Sequence, residues 1–155
     1  MNLKRREVLK AGGGLGAFGV LAAAGLITPE VALAKRNEVA FGAKKLDDAL
    51  KALGAKNVSD SGDVTLTAPD IAENGAVVPM RASSKLADTE SIVLLIEKNP
   101  LPLAAAFHLS KGASASVLTR CKMGKTSNVH ALVKAGGKFY TTKKEIKVTR
   151  GGCGG

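Results

Sequence analysis

The sequence predicts an all-β protein: an immunoglobulin-like antiparallel β-sandwich with a short N-terminal helix and a flexible, glycine-rich C-terminal arm. Three observations predict it. From residue 64 to 149 the chain is a succession of short alternating apolar stretches separated by turn signals, with no helical periodicity between them. A single segment, residues 39–54, carries apolar residues at helical spacing. The chain then ends in GGCGG, a pentapeptide whose one side chain beyond hydrogen is the cysteine's.

Residues 1–34 read as an export signal. Lys4, Arg5, Arg6 and Lys10 make a positive start, residues 11–27 (AGGGLGAFGVLAAAGLI) form an apolar run, and Ala32-Leu33-Ala34 supplies a small-x-small cleavage site. The tract KRREVLK holds an Arg5-Arg6 pair, then Val8 and Lys10, the pattern of a twin-arginine signal. The expected location is therefore the periplasm, reached by the twin-arginine route, with no membrane association after cleavage near Lys35. That route exports folded proteins, which points to folding, or pairing with a signal-less partner, before translocation.

The 121 residues that remain suffice for one domain, so the expected organisation is signal 1–34, sandwich 35–149 and arm 150–155. In VAFGAKKLDDALKALG (39–54), Phe41, Leu46, Ala49, Leu50 and Leu53 form one helical face and Gly54 stops the run. Seven strands follow, at 64–68, 76–83, 91–98, 104–109, 114–119, 128–134 and 138–149. Asn74-Gly75, Asn99-Pro100, Lys111-Gly112 and Gly136-Gly137 mark turns between them. SIVLLIEK (91–98) is apolar through its middle and should be central, whereas Pro79 marks its own strand as an edge or bulged one. With three Phe, one Tyr and no Trp after cleavage, the core must be built from Val, Leu, Ile and Ala.

After the signal, 19 basic residues face 11 acidic ones. Positive charge of this size invites a nucleic-acid reading. The export signal, the scatter of the lysines and the lack of aromatics to stack bases argue against it. The charge instead attracts small anions or acidic partner proteins.

The chemical inventory is Cys121, Cys153, His108, His130 and ordinary carboxylates. Nothing in it has metal-ligand spacing: there is no CxxC, HExxH or Asp-rich calcium loop, and no metal or other cofactor is expected. His108, in an apolar strand, and His130, on the polar alternate of another, read as satisfied structural histidines. A hydrolase nucleophile needs a base and an oxyanion site held rigidly around it, and no such frame surrounds Cys153. Gly151, Gly152, Gly154 and Gly155 leave its sulfur sterically bare on a backbone free to take many conformations, which suits insertion into the active site of another protein. Cys121 reads as a small hydrophobe of the sandwich or as the disulfide partner of Cys153, a bond that would immobilise the arm.

Taken together, the leader, APDIAENGAVVPM (68–80), EKNPLPLAAAFHLS (97–110), KFYTTKKEIKVT (138–149) and the terminal GGCGG resemble the SoxY family of sulfur carriers. The resemblance implies a non-enzymatic carrier, with no cofactor of its own, on which Cys153 holds thiosulfate covalently. It implies a heterodimer with a SoxZ-like subunit and transient partners: a SoxAX cytochrome, a SoxB thiosulfohydrolase and a SoxCD sulfane dehydrogenase. Members often have the tail cysteine alone; this chain also has Cys121. Two other readings stand beside it. A thiocarboxylate carrier also ends in Gly-Gly but needs ATP, and would lose function on deletion of Gly154 and Gly155. A metal chaperone using Cys121, His108, His130 and Cys153 would bind copper or zinc stoichiometrically.

Overall fold

Short strands with apolar residues on alternate positions bury one face each, and here they assemble into two facing sheets. A computed structural model describes residues 36–149. The expected export signal with Arg5 and Arg6, and the expected arm with Gly151, Gly152, Cys153, Gly154 and Gly155, lie outside the described residues. The chain divides into two units, Met1–Arg36 and Asn37–Gly155, and every element below belongs to the second.

Among the described residues, two helices, α1 (Glu38–Gly42) and α2 (Leu46–Ala52), precede nine strands. The strands are β1 (Val58–Asp60), β2 (Val64–Thr67), β3 (Ile71–Ala72), β4 (Val78–Ser84), β5 (Thr89–Ile96), β6 (Leu103–His108), β7 (Ser116–Cys121), β8 (Ser127–Ala135) and β9 (Lys138–Val148). The large sheet runs β1-β9-β8-β5-β6, with β3 added to β9; the small sheet runs β2-β4-β7. The fold is the predicted immunoglobulin-like β-sandwich, antiparallel except where β1 and β3 pair parallel to β9.

β5 shows why the sandwich holds. Residues 91–96 are all buried, as the apolar run demands of a strand flanked on both sides, here by β8 and β6. The period-two geometry then sends its side chains to two different cores. Ile92, Leu94 and Ile96 pack between the sheets with Val78, Met80 and Ala82 of β4 and Val129, Ala131 and Val133 of β8. Val93 and Leu95 point the other way, into a second cluster with Leu132, Leu103, Ala40, Ala49 and Ala55. The helices are therefore a third layer on the outer face of the large sheet. As predicted, the core is aliphatic, supplemented by Met80, Met123 and Cys121.

Three expectations are corrected. The single helix over 39–54 is two, because the backbone turns extended at Ala43 (φ −63°, ψ 132°). Asn37 caps the first helix by accepting from the Ala40 amide (3.0 Å), and Asp47 and Asp48 sit in the first turn of the second, where the helix dipole favours them. The break allows both Ala40 and Ala49 to reach full burial on the sheet. Among the described residues there are nine strands rather than seven; β1 and β3, of three and two residues, are too short to show alternation and exist through their pairing with β9. Finally, the strand holding Pro79 is the middle one of its sheet. The β2 pairing of β4 spans only Arg81 to Ser84, so Pro79 lies in an overhang flanked by β7 alone, and the rule against a proline in a ladder holds locally.

The β8–β9 hairpin turns on Gly136 and Gly137, both at positive φ (54° and 73°), as a two-residue type I′ turn requires. Glu90 straps this end: its carboxylate accepts from Lys134 Nζ (2.6 Å) and from the Gly137 amide (3.1 Å), and both bonds hold its pKa below the usual value. Leu94, fully buried between the sheets, provides the test of the core: Leu94→Ala is expected to lower unfolding stability by about 2–5 kcal/mol in urea denaturation.

Candidate functional site: the root of the C-terminal arm

β9 is the strand that delivers the chain to its C-terminal segment, and its flanks change as it approaches that end. On one side β8 accompanies it from Lys138 to Ile146, where Ile146 pairs with Ser127. Beyond that point β3 takes over on the opposite edge, pairing Ile71 with Lys147 and Ala72 with Val148 in parallel. The amides of the last residues are all engaged: Lys147 donates to Asp70 O (2.9 Å) and Thr149 to Ala72 O (3.1 Å). Val148 donates to the Thr126 hydroxyl (2.9 Å), and the Thr149 hydroxyl donates to Glu73 O (3.3 Å).

The segment APDIAENGA supplies most of these acceptors through its backbone. Lys144 of β9 reaches back to it, donating to Ala68 O and pairing with Asp70 Oδ1 at 2.9 Å. The Lys144 ammonium holds the Asp70 carboxyl below its ordinary pKa, although Asp70 is largely exposed. The Asn74-Gly75 turn is closed by Asn74 Oδ1 accepting from the Ala76 amide (2.9 Å). Gly75 O then accepts from the Met123 amide (2.6 Å). Asn99 grips the same loop from the other side, donating from Nδ2 to Lys122 O (2.8 Å) and accepting at Oδ1 from the Gly124 amide (3.2 Å). That loop carries Thr126. Three stretches far apart in sequence, 68–80, 97–110 and 138–149, thus converge on the last described residues before GGCGG.

The sequence flags Asn74 and Asn99 only as turn formers, and gives no signal for Thr126 or for the carbonyls of Asp70, Ala72 and Glu73. Cys121 is a free thiol, buried at 6% exposure among Val78, Met80 and Met123, and burial raises its pKa. It is the small core hydrophobe of the two sequence readings; bonding to Cys153 would require withdrawing it from the sandwich. The two histidines differ from expectation. His108 is exposed at the end of β6, opposite Ser91. His130 is partly buried in β8, and its Nε2 is buried without a hydrogen-bond partner. No group of three or more His, Cys, Asp or Glu among the described residues is arranged to hold a metal ion, so the structure does not bring Cys121, His108 and His130 together.

Alkylation checks the thiols: of the two cysteines, Cys121 is expected to stay unmodified in native protein and to react in denaturant. Cys121→Ser places a hydroxyl in an apolar site, and about 1–3 kcal/mol of stability is expected to be lost. Thr126→Val leaves the Val148 amide without its acceptor and is expected to accelerate hydrogen exchange at that amide while the β5 amides stay protected. For His130, burial depresses the folded pKa below the unfolded value, the Glu97 and Asp60 charges opposing this and Lys143 reinforcing it. Stability is therefore complete above the unfolded pKa of about 6.5 and falls as pH drops below it. Urea midpoints at pH 7.5 and 5.5 should differ less in His130→Gln than in the parent.

Comparisons with known proteins identify the family. The family model "Sulfur oxidation protein SoxY" matches residues 49–153, a span that includes all the clamping segments and ends on Cys153. The solved structure of the sulfur carrier protein SoxY from Chlorobium limicola f thiosulfatophilum is 37% identical; the match covers 70% of this chain and 96% of that one, with a TM-score of 0.63. Two further structures are more distant and carry no argument. One comes from a study of T cell specificity and activation by the bacterial superantigen toxic shock syndrome toxin-1 (14% identity, 55% of this chain and 98% of that one, TM-score 0.37). The other is an engineered protein (10% identity, 56% and 20%, TM-score 0.39). No curated protein matches the chain. The family match spans well over half of the chain and the Chlorobium structure repeats its fold: the chain belongs to the SoxY family of sulfur oxidation proteins.

Proposed function

We propose that the protein is a non-catalytic sulfur carrier that holds thiosulfate-derived sulfur on Cys153 while partner enzymes act on it. One observation carries the reading: a strand end whose last amides, at Lys147, Val148 and Thr149, are all hydrogen-bonded is followed, after Arg150, by a cysteine flanked by four glycines. From Thr149 to Cys153 the covalent chain reaches about 14 Å when extended. The fixed root sets the origin of that reach, and the bare glycine backbone lets a partner grip it from any side. The carrier named in the Chlorobium structure supports the same role.

In this reading the Cys153 thiol loses its proton and the sulfur couples to the terminal sulfur of thiosulfate, giving Cys–S–S–SO3−. Two electrons leave to a SoxAX-type haem cytochrome. Hydrolysis by a SoxB-type enzyme adds water across the S–S bond to the sulfonate, releasing sulfate and leaving the persulfide Cys–S–SH. A SoxCD-type dehydrogenase oxidises that outer sulfur with three waters, releasing six electrons and seven protons, to Cys–S–SO3−. A second hydrolysis restores the thiol. A SoxZ-like subunit completes the carrier as a heterodimer, and the twin-arginine signal with Arg5 and Arg6 takes the protein to the periplasm.

Mass spectrometry of the C-terminal peptide from cells oxidising thiosulfate is expected to show thiosulfate-derived or persulfide adducts on Cys153 and none on Cys121. Cys153→Ala is expected to abolish growth on thiosulfate while leaving the fold intact. An unmodified Cys153, or unimpaired growth of the variant, overturns the carrier reading.

A further inference from the structure

Three of the sandwich's four sheet faces are covered: the two inner faces by each other, and the centre of the outer face of the large sheet by the helices. Among the described residues, nothing covers the outer face of the small sheet. Its outward positions are the alternates of the core residues of β2, β4 and β7, and all are exposed except half-buried Ser83. Arg81 lies there opposite Leu118, and Pro79 opposite Arg120. Val77 and Lys122, both exposed, carry the alternation one step past the Val78–Cys121 pair. Every other outward position of the three strands is Ser or Thr.

The face is therefore cationic and apolar at once. Arg81, Arg120 and Lys122 share it with no carboxylate, and none of the three is ion-paired with a described residue. Arg81 Nη1 donates one long bond to Ser116 Oγ (3.4 Å), which leaves its charge unneutralised. Overall positive charge does not account for this, because the outward alternates of β9 mix signs, with Glu145 between Lys143 and Lys147. Arg81 and Arg120 are diagonal neighbours, roughly 7–8 Å apart at the backbone, and their like charges oppose each other. Leu118 is 62% exposed and Val77 52%.

The occupant has to answer both features. A small inorganic anion finds no pocket here and leaves Leu118 and Val77 wet. A second copy of the chain brings the same cations against these, and a nucleic acid finds no aromatic side chain to stack on. A protein surface carrying carboxylates among apolar side chains satisfies the guanidinium forks, which take carboxylates two bonds at a time, and covers the aliphatic residues.

We propose that the outer face of the small sheet is the docking surface for an acidic protein partner, whose carboxylates engage Arg81, Arg120 and Lys122 and whose apolar side chains cover Leu118 and Val77. From Val77 to Ser83 the face is about 20 Å long, and three strands about 4.8 Å apart make it roughly 15 Å wide. The resulting area, about 300 Å² in projection, is well short of the roughly 800 Å² that each partner of a stable complex buries, so the contact is a transient one. At its Val77–Lys122 end the face borders the 122–126 loop, which Met123 ties to Gly75 and Thr126 to Val148. A protein seated there lies beside the root of the arm. The inference needs the face alone and does not require that Cys153 carry sulfur.

The test is an NMR titration of the full mature chain with synthetic peptides: one alternating Asp-Glu pairs with Leu, the same with Gly for each Leu, and the same with Lys for each acid. The acidic leucine peptide is expected to give saturable shifts at Val77, Arg81, Leu118 and Arg120, to bind more tightly than its glycine counterpart, and to weaken as salt rises from 25 to 300 mM. The lysine peptide should not bind. Arg81→Glu with Arg120→Glu, both at exposed positions, should cost at least about fivefold in affinity, the worth of two exposed ion pairs, and should admit the lysine peptide. Leu118→Ser should bring the leucine peptide down to the level of the glycine one. Unchanged urea midpoints in these variants confirm that the fold is intact. Cys153→Ala should leave peptide binding unchanged, which separates failure of this inference from failure of the carrier reading. Shifts as large at Lys143 and Lys147 as at the arginines, equal binding of the leucine and glycine peptides, tighter binding to phosphatidylglycerol vesicles than to the peptide, or self-association of the chain through Leu118 overturns the inference.

Discussion

The structure depends on the large sheet being buried on both faces at its centre. An antiparallel sheet commonly packs one face and wets the other, and β5 cannot do so, because apolar side chains occupy both of its alternating sets. The small sheet covers one set and the two short helices cover the other. The rest follows: the helices must lie flat on the sheet, small residues such as Ala40 and Ala49 must face it, and the linker between the helices must break so that both can dock. A pocket beside His130 arises where that helical layer meets the polar part of the same face.

Much of this was legible in the sequence, and the failures have a common cause. Strands with their own alternation, such as β4 and β8, and the strand with none, β5, announce themselves because their burial is written in their side chains. β1 and β3 do not, since three and two residues paired to a neighbour owe their conformation to that neighbour. Pro79 misled for a related reason: whether a residue sits at an edge depends on where the adjacent strand stops, here at Arg81. At the site, four glycines around Cys153 made the thiol visible, whereas the clamp is built of carbonyls at Asp70, Ala72 and Glu73, and a carbonyl looks the same in every residue. His130 was misread because its polar alternate faces the partly helix-covered side, a layer that strand periodicity does not reveal.

The two cysteines illustrate how placement decides the use of one functional group. Cys121, inside the sandwich, is held as a neutral thiol by burial, which removes the thiolate that sulfur chemistry needs. Core packing thus withholds Cys121 from thiol chemistry at the surface of the sandwich. The clamp and the core serve the same end, since Met123, packed beside Cys121, is also the residue whose amide ties the 122–126 loop to Gly75.

The pairing at the end of β9 also has a mechanical meaning. In the carrier reading proposed above, the segment after Thr149 is drawn into another protein and released again, and a pull on it along the strand would enter the fold at Thr149. Ladder bonds in antiparallel pairs lie across the strand direction, so a pull along β9 loads its bonds to β8 together, in shear, instead of opening them one after another as a zipper does. The parallel bonds to β3 and the Thr126 hydroxyl share that load at its point of entry. Under such a load the end of β9 would resist fraying through bonds on both of its edges.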